Sequence, residues 1–64
     1  MAKGRKPATG RFETREELVE AACRAYRDTD QNVAQIARWC RVSDGVIHKI
    51  IDGDEGRQWR ANNA

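Results

Sequence analysis

Between residues 14 and 53 the apolar side chains recur at helical spacing in three short sets, and a residue able to cap a helix N-terminus precedes each set. The first set opens with TREE, where the Thr14 hydroxyl can accept from the Glu17 amide while the Glu17 carboxylate reaches back to the Thr14 amide. Leu18, Val19, Ala22, Cys23 and Tyr26 then line one helical face, with Glu16, Glu20, Arg24 and Arg27 opposite. Tyr26 is expected to close the bundle at the end of this helix. The turn residues DTDQN break the pattern, and Asn32 with Gln35 forms a second capping box ahead of Val33, Ile36, Ala37 and Cys40. Ser43 precedes the third set, Val46, Ile47, Ile50 and Ile51. The run VIHKII is β-branched enough for a strand, but Ser43 as N-cap, Gly53 as C′ residue and the i, i+3, i+4 pairing specify a helix. Helices this short do not persist alone in water, so each must be held by its neighbours. The expectation is an all-α fold: a small three-helix bundle over residues 14–53.

The flanks lack such periodicity. Residues 1–13 carry two glycines and a proline and read as a flexible, disordered basic arm, with order beginning at Thr14. Residues 54–64 read as a tail in which only Trp59 has much surface to bury. At 64 residues the chain forms one domain, and a domain of that size buries only about 60% of its unfolded surface, leaving little for an enclosed active site. His48 stands alone, with no serine, cysteine or carboxylate constellation that would make it catalytic, so no enzyme activity is expected. Cys23 and Cys40 have no CxxC spacing and no histidine near either, which gives no zinc ligand set; no cofactor or metal is expected. No signal peptide and no membrane-length apolar run is recognised, so the expectation is a cytoplasmic protein with buried, reduced thiols and no membrane partner.

The formal net charge of +2 hides a segregation. Lys3, Arg5, Lys6 and Arg11 occur before any acid, whereas Glu13, Glu16, Glu17, Glu20, Asp28 and Asp30 outnumber the arginines of residues 13–30. Strong basic character belongs to the arm, and the body is slightly acidic.

From Val33 to Asp52 the chain resembles the helix-turn-helix of phage repressors, Cro-type regulators and the C-terminal domain of Fis-like proteins. The pattern wants an apolar then a small residue in its first helix (Ile36, Ala37), apolar residues before and after the turn (Cys40, Val42), and two in the second helix (Ile47, Ile50). One position departs: the turn residue, commonly glycine because its backbone is left-handed, is Arg41, at a cost on the order of 1 kcal/mol. SDGVIHKI is similar to the SRGTLRKK-type opening of a Fis-like recognition helix, with Asp44, His48 and Ile50 where that type carries basic side chains.

The resemblance implies double-stranded DNA as partner and a small transcriptional or phage-type regulator. It also implies a homodimer on half-sites about 34 to 36 Å apart and, for a bacterial or phage protein, the bacterial cytoplasm or nucleoid. The groove-facing residues would be Ser43, Asp44, Gly45, His48, Lys49 and Asp52, with Arg38 and Arg41 at the turn. Ser43 and the first-turn amides suit a phosphate; Lys49 and His48 reach base edges or phosphates; Gly45 permits close approach. KGRKP is similar to a minor-groove AT-hook, but Lys6 intervenes between arginine and proline. Arg5 would enter the minor groove, with Lys3, Lys6 and Arg11 on phosphates. The alternative for the arm is a solubilising tail.

Asp44 admits three readings: an acid favoured by the helix dipole, a specificity element accepting from cytosine or repelling other sequences, or a sign that the helix never meets DNA. The last belongs to a rival class, a protein-binding module or inhibitor of a host polymerase or nuclease, supported by the acidic body. Trp39 lies off the apolar stripe and either covers the base of the core or joins Trp59 in an oligomer contact, which makes Trp59 and its tail the first suspects for a dimer surface.

Overall fold

Why the helices start and stop where they do can be followed cap by cap in the computed structural model, which describes residues 9–64. Helix α1 (Arg15–Asp28) begins at Thr14, whose side chain accepts from the Glu17 amide. The Glu17 carboxylate accepts from the amide of Glu13, one residue earlier than expected, at 3.1 Å. Helix α2 (Val33–Cys40) has the anticipated Asn32 and Gln35 capping box, both bonds 2.9 Å long. Helix α3 (Asp44–Asp52) begins at Ser43, whose Oγ accepts from the Val46 amide at 3.3 Å.

A fourth helix, α4 (Asp54–Asn62), occupies what the sequence presents as a tail, so the expected three-helix bundle is a four-helix fold, all-helical over the described residues. Gly53 does not end α3 in a left-handed cap. Its φ of −98° and ψ of −168° are extended, and it serves both as C-cap of α3 and as N-cap of α4. A Cβ there would run into the carbonyl of Lys49, so a side chain would block this sharp junction.

Helices α1 and α3 form the centre, each touching the other and both remaining helices, while α2 and α4 lie on opposite sides and do not meet. Leu18, Ile36, Ile47, Ile50 and Cys40 are the largest fully buried side chains. Trp59 of α4 is only 7% exposed and joins this core. Tyr26 does not close the bundle: it is 47% exposed, and it is Arg24 and Arg27 of this end of α1 that meet Trp59 and the Asn63 carbonyl.

Helix α4 has one large apolar residue, too little to hold nine residues helical alone. Five contacts with α1 and α3 compensate. Arg15 binds Glu55 in a fork of three bonds between 2.8 and 3.3 Å. The Arg24 and Arg27 guanidinium groups lie 5.6 and 4.7 Å from the centroid of the Trp59 ring. Arg27 also donates to the Asn63 carbonyl at 2.7 Å, and Arg60 donates to the Ile51 carbonyl at 3.2 Å. Gly56 is buried where a Cβ would strike the carbonyls of Ile50 and Ile51, so its lack of a side chain sets how closely α4 approaches α3.

Candidate nucleic-acid interface

The connection between α2 and α3 is three residues, 41–43. Arg41 adopts φ 66° and ψ 42°, the left-handed conformation expected of a glycine-type turn position, and is the one non-glycine residue with positive φ among those described. Its amide donates to the Arg38 carbonyl at 3.2 Å, and the Val42 amide donates to the Ala37 carbonyl at 3.0 Å. These two bonds form a Schellman motif, which satisfies carbonyls that the end of α2 would otherwise leave open. Val42 packs, half-buried, on the core directly after the turn, as the pattern of apolar residues requires.

Helix α3 is divided cleanly. Ile47, Ile50 and Ile51 are buried, whereas Ser43, Asp44, Gly45, His48, Lys49 and Asp52 are all exposed. Asp44 lies in the first turn, where an acid is favoured by the helix dipole, and Lys49 in the last, where a cation is. His48 Nδ1 is 3.9 Å from Asp52 Oδ2, a long contact on an open surface.

Arg11 is brought to the C-terminal end of α2, beside the turn, by residues expected to belong to the flexible arm. Residues 9–12 form a tight turn, the Phe12 amide donating to the Thr9 carbonyl at 3.0 Å, and they pack against the end of α2. The Arg11 amide donates to the Cys40 carbonyl at 3.0 Å, and its Nη1 to the Trp39 carbonyl at 3.3 Å. Its guanidinium lies 5.4 Å from the Trp39 ring centroid, and the Phe12 ring meets Trp39 edge to face at 5.9 Å. Order therefore begins before Thr14. Arg5, Lys6 and Lys3 lie outside the described residues.

Cations are used differently in the two halves of the molecule. Salt bridges engage Arg15 with Glu55, Arg24 with Glu20, Arg27 with Asp28 and, at 3.7 Å, Arg57 with Asp54. Hydrogen bonding to Glu55 holds the Arg15 guanidinium above its ordinary pKa, and the same fork holds the Glu55 carboxyl below the usual carboxylate range. By contrast, Arg11, Arg38, Arg41 and Lys49 have no carboxylate partner among the described residues, and the first three sit around the C-terminal end of α2.

A groove of about 560 Å³ between α1 and α4 is lined by Glu16, Glu20, Asp54 and Glu55 over Val19 and Trp59. Three of those carboxylates are already paired with arginines of the same chain, so the groove is the seam that seats α4 rather than a free acidic surface. Cys23 and Cys40 are buried and unbridged, and burial pushes both thiols up. Among the described residues no group of three or more His, Cys, Asp or Glu side chains could hold a metal ion, and no helix is long and apolar enough to cross a membrane.

Trp59 cannot be half of an oligomer contact with Trp39, because it is buried beneath Arg24 and Arg27. Trp39, 44% exposed, stands instead beside Arg11 and Phe12. Sequence reasoning missed this docking; its available signal was Phe12, a large aromatic in a segment otherwise without apolar residues to bury. No protein-family model, curated protein or solved structure matches the chain significantly.

Proposed function

We propose that α2 and α3 form a helix-turn-helix and that the protein binds double-stranded DNA through it, as a small transcriptional or phage-type regulator. The observation that carries this reading is the separation of cations: those on α1 and α4 are engaged in the fold, and those around the α2–α3 turn and on the exposed face of α3 are left for a polyanion. The left-handed Arg41 and the half-buried Val42 support the helix-turn-helix assignment. In this reading α3 enters the major groove, Lys49 and His48 meet base edges or phosphates, and Ser43 with the first-turn amides meets a phosphate. Arg11, Arg38 and Arg41 lie on the flanking backbone, and Lys3, Arg5 and Lys6 extend from there. Asp44 serves the helix dipole and discriminates against bases that cannot donate to it. Pairing of two copies on adjacent half-sites belongs to the same reading, with half-exposed Tyr26 in place of Trp59 as the apolar residue open to a second copy. No chemistry is assigned to His48.

A second reading, a protein-binding module, is favoured by the exposed Trp39, since tryptophan is enriched at the energetic centres of protein interfaces. Fluorescence anisotropy of the full chain against a random duplex and a pool-selected duplex, at two salt concentrations, separates the two. DNA reading predicts a selected sequence preferred by about 4 kcal/mol or more. Weak binding to both duplexes that salt abolishes would leave only nonspecific contact and turn the search to a protein partner.

A further inference from the structure

Residues 9–12 are held at the turn by a set of contacts that leave little freedom at Gly10. Its φ is +59°, a conformation that side chains other than glycine rarely adopt. A Cβ at that position would strike the Cys40 carbonyl oxygen and come within 2.8 Å of Val42 Cγ1 and 2.9 Å of the Arg41 carbonyl oxygen. Two of those neighbours are backbone, of the last residue of α2 and the first of the turn, and cannot swing away. Around this point of closest approach lie the Arg11 amide bond to Cys40, the Arg11 side-chain bond to Trp39 and the edge-to-face pair of Phe12 with Trp39.

We propose that residues 9–12 are a clamp that fixes where the basic N-terminal segment leaves the body, and that Gly10 is its positioning residue. The consequence for a ligand rests on the DNA reading above; the docking itself does not. With its root fixed beside Arg38 and Arg41, the segment of residues 1–8 starts at the nucleic-acid surface. At about 3.3–3.6 Å per residue it reaches no more than about 26–29 Å from there. On a duplex that is about eight base pairs on one flank, at 3.4 Å per pair. Lys3, Arg5 and Lys6 are thus confined to phosphates or minor groove next to the site read by α3. A free tail would instead spread its charge over either side. Arg11 belongs to the clamp rather than to the segment it anchors, because its guanidinium is held against Trp39.

The test uses the full chain and the variant Gly10→Ala, with Phe12→Ala as a second variant that removes the ring contact without a Cβ clash. Amide hydrogen exchange at Arg11 reads the docking directly. Far-UV circular dichroism checks that the helices remain. Anisotropy against a random-sequence duplex of about 30 base pairs reads the functional consequence. In both variants the Arg11 amide should exchange at least about tenfold faster, with helicity unchanged. Duplex affinity should fall about fivefold or more, because an arm released from its root must be ordered again on binding. The slope of log K against log salt should barely change, since every cation is still present, whereas deleting residues 1–8 should lower it by up to about three units. On a pool-selected duplex, hydroxyl-radical protection lost on that deletion should lie on one side of each half-site.

An Arg11 amide that exchanges as slowly in Gly10→Ala as in the wild type overturns the clamp, whatever the DNA result. A released amide with unchanged duplex affinity, or protection lost equally on both sides of each half-site, overturns the positional role. A wild-type chain that binds neither duplex at low salt overturns the DNA reading, and the positional role with it, and the exchange rates then decide the docking alone.

Discussion

The seam between α1 and α4 and the turn between α2 and α3 are both rich in arginine, and the two use it in opposite ways. At the seam, Arg15, Arg24 and Arg27 close onto Glu55, Glu20, Asp28 and the Trp59 ring, so charge substitutes for the apolar surface that α4 lacks. At the turn, among the described residues, Arg38 and Arg41 have no such partners and the Arg11 side chain meets a carbonyl and an aromatic face. The difference teaches that net charge says little in so small a domain. What matters is which cations the fold has already engaged.

That contrast breaks most visibly at its apolar hinge. Trp59→Ala should remove about 3–5 kcal/mol of stability in a urea titration, by emptying the one core position α4 fills. A domain of this size has little more to lose, so α4 should undock or the chain unfold. A Trp59→Ala protein with an unchanged urea midpoint would mean that the arginine pairs hold α4 without the ring.

The turn is tested next. Lys49→Ala combined with His48→Ala should cost about 1–3 kcal/mol of discrimination between selected and random duplex, and should move the thermal midpoint little, because both side chains are exposed. Equal loss on both duplexes would assign these residues to phosphates instead of bases.

Arg41→Gly sharpens the comparison because its two effects have opposite signs. Relief of the left-handed strain should raise stability by about 0.5–1 kcal/mol, less than the full cost of that conformation because glycine also loosens the unfolded chain. The same change should lower the salt slope of duplex binding by nearly one unit. A variant that is more stable and binds as before would remove Arg41 from the interface.

The smallest effect belongs to the seam. Arg15→Ala or Glu55→Gln should cost up to about 1 kcal/mol, given that both side chains remain some two-fifths exposed. Because Arg15 depresses the Glu55 pKa in the folded state, this contribution is present above the unfolded carboxyl value of about 4.3 and is lost as pH falls through the lower folded value. Urea titrations at neutral pH and near pH 3 should therefore show a difference between wild type and Glu55→Gln that shrinks with acid.

Three of the four helices could be read from the sequence because local signals agree with the long-range ones. Thr14, Asn32 and Ser43 each cap a set of apolar residues at helical spacing, and each forms the expected bond. Helix α4 was hidden because DEGRQWRAN has no apolar stripe; its stability comes from residues 15, 24 and 27, which no local window includes. Its faint signal was the charge order, with Asp54 and Glu55 at the start and Arg60 in the last turn, which suits a helix dipole. Exposed residues of α3 were legible because helical spacing fixes which side chains face away from the core. The docking of residues 9–12 was not, since a positive φ at Gly10 and a ring placed beside Trp39 depend on tertiary contact alone.

The burial of Trp59 and the half-exposure of Trp39 give the protein two optical reporters, one in each of these regions. Shielded by α1, Trp59 should emit toward the blue and shift red when α4 leaves its seat; Trp39, open to solvent, should already emit toward the red and respond to whatever arrives at the turn. Titrating denaturant or a duplex into Trp39→Phe and Trp59→Phe chains would thus follow separately the opening of the fold and the arrival of a ligand, without a label attached to either.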